Sequence, residues 1–163
     1  MPGLMKRAVL LAGISLALGV TAAQAATVVA VSLWDKGAAA SMPTTLTYGA
    51  PGLDMSQASM GIKAEPATAK AGVVTFHVTN TSKDTVHEMI VMYLADPSKP
   101  LPYLAAESRV DEDKAGDKGE VSELDPGASG SLTVALKPGK YLLICNVPGH
   151  FAAGMWTQFE VTK

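Results

Sequence analysis

One cysteine and three histidines in 163 residues set the first limits on this chain. A lone thiol, Cys145, cannot close an internal disulfide, so a fold stapled by cysteines is excluded. Charged residues make up only 17% of the sequence and neither sign dominates. Without a dense basic patch, nucleic acid and anionic membrane surfaces are poor partners. There is no fixed-period repeat, no helix-long amphipathic stretch, and no Ser-His-Asp or paired-carboxylate arrangement that would carry hydrolysis. The one long hydrophobic run lies near the start.

Lys6 and Arg7 precede an uncharged apolar run from Ala8 to Val20, and small residues follow as far as Ala23-Gln24-Ala25. That order is the order of a secretory signal peptide, with cleavage after Ala25. An uncleaved anchor is the competing reading. A spanning helix wants about 20 strongly apolar residues, however, and Thr21 to Ala26 is only weakly apolar. The expectation is a periplasmic or otherwise exported protein, residues 26–163, that is not inserted in the membrane. Without the two leader cations it carries 11 basic and 15 acidic side chains, a net −4. Its length suits one modest domain.

Within that domain, short apolar runs alternate with clusters of Gly, Pro, Asn, Asp and Ser, the pattern of a β-sandwich. Strands are expected at Thr27 to Trp34, Met60 to Ala64, Gly72 to Thr79, Glu88 to Leu94, Ser131 to Leu136, Tyr141 to Cys145 and Met155 to Thr162. Val74, Phe76 and Val78 fall on one face of the third of these, and Thr75, His77 and Thr79 on the other. Tyr141 to Cys145 is apolar throughout, as expected of a strand covered on both sides or ending in a site. Lys36 to Gln57 reads as a long irregular loop. Asp96 to Asp117 reads as an excursion with one helical turn near Leu104 to Ser108. The fold class is all-β, a Greek-key β-sandwich of about seven or eight strands.

Against this background stands Cys145-Asn-Val-Pro-Gly-His150-Phe-Ala-Ala-Gly-Met155. A thiolate, an imidazole and a thioether recur at regular intervals in one loop between two strands. Soft sulfur holds Cu(I) while imidazole also suits Cu(II), and a His2Cys set with a weak axial Met is the donor set of a redox copper site. Pro148 and Gly149 bend the loop and reduce the entropy of holding it ready. For Cys145 the alternatives are a buried inert thiol or pairing between molecules. For His150 the alternative is an exposed loop histidine.

Cys145-x4-His150-x4-Met155, after Pro138-Gly-Lys-Tyr141 and before Trp156, resembles the copper loop of the cupredoxins, the blue-copper family that includes plastocyanin and azurin. Its spacing is most similar to rusticyanin and sulfocyanin. The resemblance implies one type 1 copper and electron transfer. It also implies a second imidazole from the start of an upstream strand: His87 is the candidate, and His77, inside a strand, reads as a surface histidine. Many cupredoxins place Asn or Ser after that first histidine, where this chain has Glu88. Glu88 is either an outward solvated side chain or a buried carboxylate with a raised pKa, and Asn146 can supply part of the bonding around the thiolate.

Two functions follow from these features. In one, the protein is a monomeric electron carrier, with His150 exposed at the edge of an apolar patch of Pro148, Phe151 and Ala152 that docks a redox protein such as a cytochrome or a copper oxidase. In the other it is a copper-binding protein for resistance, storage or delivery, working with a copper-trafficking protein. Glu88 and the methionine surplus favour the second, including a weaker site of Met42, Met55 and Met60; the four-ligand loop favours the first. An enzyme is not expected, because dioxygen- or nitrite-reducing copper proteins need further imidazoles that three histidines cannot supply.

Overall fold

The computed structural model describes residues 26–163, so the expected signal peptide, residues 1–25, lies outside the described residues. Two sheets face each other. One has the order β2 (Met60–Glu65), β1 (Thr27–Asp35), β4 (Gly72–Asn80) and β9 (Ser129–Leu136). The other runs β3 (Thr68–Lys70), β11 (Trp156–Thr162), β10 (Gly139–Ile144), β5 (His87–Tyr93) and β8 (Asp117–Leu124). A two-stranded ribbon of β6 (Tyr103–Leu104) and β7 (Arg109–Val110) and a short helix α1 (Glu112–Ala115) lie outside both. β1 pairs in parallel with β4, and β3 with β11; the other pairings are antiparallel.

Alternation does what the sequence predicts. Val29, Val31 and Leu33 of β1 and Val74, Phe76 and Val78 of β4 are buried between the sheets, because a period of two puts every second side chain on one face. The sandwich is larger than expected, with nine strands in its two sheets among the described residues. β8 escapes the pattern because only Val121 is buried along it; it is a charged edge strand, a composition that discourages pairing with other chains. The expected turn near Leu104 to Ser108 is the connection between β6 and β7, and the helical turn lies later, at α1.

From Tyr141 to Ile144 β10 is apolar and buried because it has a core on each side. Tyr141, Leu143 and Cys145 join the cluster between the sheets. Leu142 and Ile144 point the other way, into a second cluster with Tyr48, Ile90, Met92, Leu101, Phe151 and Trp156. The roof of that second core is the segment expected to be a loose loop. Tyr48 meets Trp156 edge to face at 5.2 Å, Trp156 Nε1 donates to the Leu46 carbonyl at 2.7 Å, and the Leu46 N–H donates to Ala152 at 2.9 Å. Residues 36–58 are therefore a cap over the Cys145 to Met155 loop.

Candidate metal centre

Three strand ends converge at one end of the sandwich. β5 opens with His87, β10 delivers Cys145 directly after Ile144, and Met155 precedes β11. The β10 pairings to β5 and β11 fix where these ends lie. His87 Nδ1 is 3.2 Å from His150 Nδ1, which is 3.3 Å from Cys145 Sγ. One donor atom from each of the three residues lies within 4.8 Å of the others. Met155 is fully buried in the cluster that holds Cys145. Its carbonyl accepts the Cys145 N–H, and its own N–H donates to the His150 carbonyl, both at 3.0 Å. The two histidines named by the resemblance are thus brought together. His77 is not among them: it is exposed on β4, bonded through Nδ1 to Ser131 Oγ at 2.8 Å.

The loop is fixed by its backbone. His150 N–H donates to Val147, Gly149 N–H to Ser108, and Ala153 N–H to both Gly149 and His150. Gly149 adopts φ 86° and Gly154 φ 96°, a region that only glycine occupies cheaply. At Gly154 space adds to the constraint, since a Cβ there would lie 2.9 Å from Ala58 Cβ in the cap.

Asp35 is a site residue that the sequence pattern does not single out. At the end of β1 it places Oδ2 2.7 Å from His87 Nε2, with its side chain 4% exposed. Burial alone would raise the Asp35 pKa, but bonds from Ser82, His87 and the Gly37 N–H outweigh burial and hold it below its ordinary value. Burial lowers the His87 pKa more than Asp35 raises it. The pair is therefore an ionised carboxylate accepting Nε2–H from a neutral imidazole. That tautomer leaves the Nδ1 lone pair free, the usual way an outer carboxylate orients a metal-binding histidine. No local pattern marks Asp35, because it meets His87 only through the packing of the two sheets.

Glu88 is buried, 8% exposed. Its N–H approaches Cys145 Sγ at 3.5 Å, and Oε1 accepts the Asn146 N–H at 2.9 Å. Burial raises its pKa, partly offset by that bond. Asn146 reaches outward: its Oδ1 accepts from Val110 N–H, and Nδ2 donates to the Val110 carbonyl and to Glu112 Oε1. The β7–α1 segment is tied to the thiolate loop in this way.

Burial pushes the Cys145 thiol up to about 12, against backbone N–H bonds from Glu88 and Val147 that pull it down. Burial and the neighbouring His87 lower His150 to about 4. Both imidazoles are neutral at pH 7. His87 Nδ1 has no proton to give, so its lone pair faces the other two donor atoms. Two imidazoles with a thiolate, formed when a metal displaces the thiol proton, suit copper. Donor spacings of 3.2 and 3.3 Å are near the about 3.5 Å expected around an ion with bonds of about 2 Å. His87, Cys145 and His150 are positioned to bind one copper ion.

One expectation is corrected. Phe151 and Ala152 are 1% and 4% exposed, so they form no surface patch; the cap and Tyr103 cover them, the latter with ring centroids 6.1 Å from Phe151. Pro148 remains exposed. His150 is itself 5% exposed and lines a small pocket beside Met42.

A β-sandwich with a His2Cys cluster at one end defines a cupredoxin, the blue-copper class. A family model described as the sulfocyanin (SoxE) domain matches residues 71–163, and the chain belongs to that family. Among solved structures it is similar to dithionite-reduced auracyanin from the photosynthetic bacterium Roseiflexus castenholzii, at 18% identity and TM-score 0.50, covering 86% of this chain and 100% of that one. It is also similar to auracyanin B, at 23% identity and TM-score 0.50 over 88% and 94% of the two chains. Rusticyanin from Thiobacillus ferrooxidans gives 19% identity and TM-score 0.50 over 85% and 79%. At these identities the likeness is one of fold. No curated protein matches the chain. Among the described residues no helix is long and apolar enough to cross a membrane.

Proposed function

We propose that this protein is an exported, monomeric, single-domain electron carrier, with His87, Cys145, His150 and Met155 as the ligands of one type 1 copper. The observation that carries the reading is the buried convergence of His87 Nδ1, His150 Nδ1 and Cys145 Sγ. Copper held there supplies one-electron exchange between Cu(I) and Cu(II). The chain's part is to resist rearrangement. Asp35 fixes one imidazole by its ring, the loop backbone fixes the other, and Glu88 and Asn146 clamp the residues around Cys145. A site held from several directions changes little between redox states, which favours fast exchange with a cytochrome or copper oxidase. The partner meets the protein where Pro148 and Met42 are exposed beside the His150 pocket.

A second reading, copper storage or delivery to a trafficking protein, is favoured by two methionines, Met42 and Met60, in the pocket that reaches His150. One experiment separates the two. Cu(II) added to the metal-free mature protein should give an intense thiolate-to-copper band that is absent in Cys145→Ser, and its absence in wild type would sink the proposal. Reversible redox cycling with copper retained supports the carrier; ready loss of Cu(I) to an acceptor supports delivery.

A further inference from the structure

A pocket of about 150 Å³ opens beside the metal centre, lined by Met42, Ser59, Met60, Thr85 and His150 together with small residues of the cap. Met60 forms its floor, cross-strand from the Asp35 that anchors His87. Met42 stands at its mouth, 42% exposed, and lies so close to the copper loop that a Cβ on Gly149 would be 3.1 Å from its Cε. Met55 takes no part: it does not line the pocket, and its Cε lies beside Gly154 instead. Ser59 is 3% exposed, and its hydroxyl has no hydrogen-bond partner. A buried hydroxyl wants a polar neighbour, so this pocket is not a dry apolar gap.

We propose that the pocket is a docking site for Cu(I) on its way to His150 and Cys145. The inference rests on the copper reading of that cluster. Thioethers are neutral, soft donors that select Cu(I), whereas hard divalent ions want carboxylates, and no carboxylate lines this pocket. Its third donor, the imidazole of His150, already belongs to the metal centre, so an ion held by Met42 and Met60 is one ligand away from its destination. On transfer the S–H bond of Cys145 breaks, its proton leaves to solvent, and a Cu–S bond forms. Copper remains Cu(I) throughout, so no oxidant or reductant is required.

The test uses the mature chain with methionine methyl groups labelled with ¹³C. In metal-free Cys145→Ser, the first equivalent of Ag(I), a redox-inert stand-in, should shift the Met42 and Met60 methyl signals together and leave Met55 in place. Separately, the protein is mixed with Cu(I), oxidised after a set delay, and the thiolate-to-copper band read. The double variant Met42→Leu, Met60→Leu should take up copper at least tenfold more slowly yet reach the same final band. Met42→Ser alone, at an exposed position that does not threaten folding, should slow uptake about threefold. Uptake at the wild-type rate in these variants, or Ag(I) shifts that bypass Met42 and Met60, would overturn the docking site while leaving the copper centre intact. A wild-type protein that never develops the band would overturn both.

Discussion

The two histidines of the metal centre are held in opposite ways. His87 is fully buried at the start of an internal strand, and its ring is pinned through Nε2 by Asp35. His150 sits in a loop whose backbone is fixed by several hydrogen bonds, but its ring bonds only to the other donors of the cluster, and one edge lines a pocket. One ligand is secured by its side chain, the other by its main chain. The strand side is thus a closed wall of the site, and the loop side is the one that borders a pocket.

Removing each ring is the most forceful way to break that comparison. Both His87→Ala and His150→Ala should abolish the copper band. Their effects on the metal-free protein should differ. Without His87, the buried Asp35 carboxylate keeps its bonds from Ser82 and the Gly37 N–H but loses the one from Nε2, and a hydrogen bond to a charged group is worth about 1.5 to 3 kcal/mol. His150 leaves no charge behind, and its site adjoins a pocket, so about 1 kcal/mol is expected, an ordinary loss for a point substitution. Urea unfolding of the two metal-free variants measures the gap, and equal losses would mean that the Asp35 bond does not anchor the strand side.

Acid should also act on the loop side. With His150 at about 4 in the metal-free fold and 6.5 when unfolded, the unfolded chain binds more protons between those values, so stability falls as pH falls through that window. The loss approaches about 3 kcal/mol by pH 4, since each tenfold difference in proton affinity between the folded and unfolded chains is worth about 1.4 kcal/mol. Metal-free His150→Gln should lack this component, and a wild-type stability that is flat from pH 6.5 to 4 would contradict the buried, neutral ring.

Asp35→Asn probes the other side more gently. The amide keeps the shape and one acceptor oxygen for Nε2–H, but its NH2 then faces the Gly37 N–H that the other carboxylate oxygen had accepted, and the negative charge behind His87 is gone. Unfolding free energy should fall by about 1 to 2 kcal/mol, the scale of a hydrogen bond to a charged group. The reduction potential should rise, because a less negative surrounding favours Cu(I), with each tenfold change in relative affinity worth about 59 mV. Spectroelectrochemistry reads the shift; a potential that stays put or falls would show that Asp35 orients the ring without influencing the metal.

What the sequence makes legible follows from distance along the chain. Cys145, His150 and Met155 share one loop, so their spacing displays the chemistry directly. Val74, Phe76 and Val78 likewise display their face by local alternation. Asp35 meets His87 across 52 positions, and Leu46 meets Trp156 across 110; no local pattern encodes such pairings. Phe151 and Ala152 look like surface for the same reason, since what covers them is the distant segment 36–58. β8 leaves little trace because an edge strand with one buried residue carries almost no hydrophobic period.

Glu88 joins the two sides and offers the finest test. It belongs to the strand side, next to His87, yet its Oε1 accepts the N–H of Asn146 on the loop side at 2.9 Å. What that contact needs is an acceptor in place, not a charge. Glu88→Gln retains an acceptor oxygen, so stability should change by less than about 1 kcal/mol, within the range of a single neutral hydrogen bond. Glu88→Ala leaves the Asn146 N–H, in a residue only 1% exposed, without its partner, a loss of about 1 to 3 kcal/mol. The copper band should keep its position in Glu88→Gln and broaden in Glu88→Ala, where the residue after the thiolate is no longer clamped. If instead the glutamine variant is as unstable as the alanine variant, the carboxylate's charge, and not its oxygen, ties the strand wall to the copper loop.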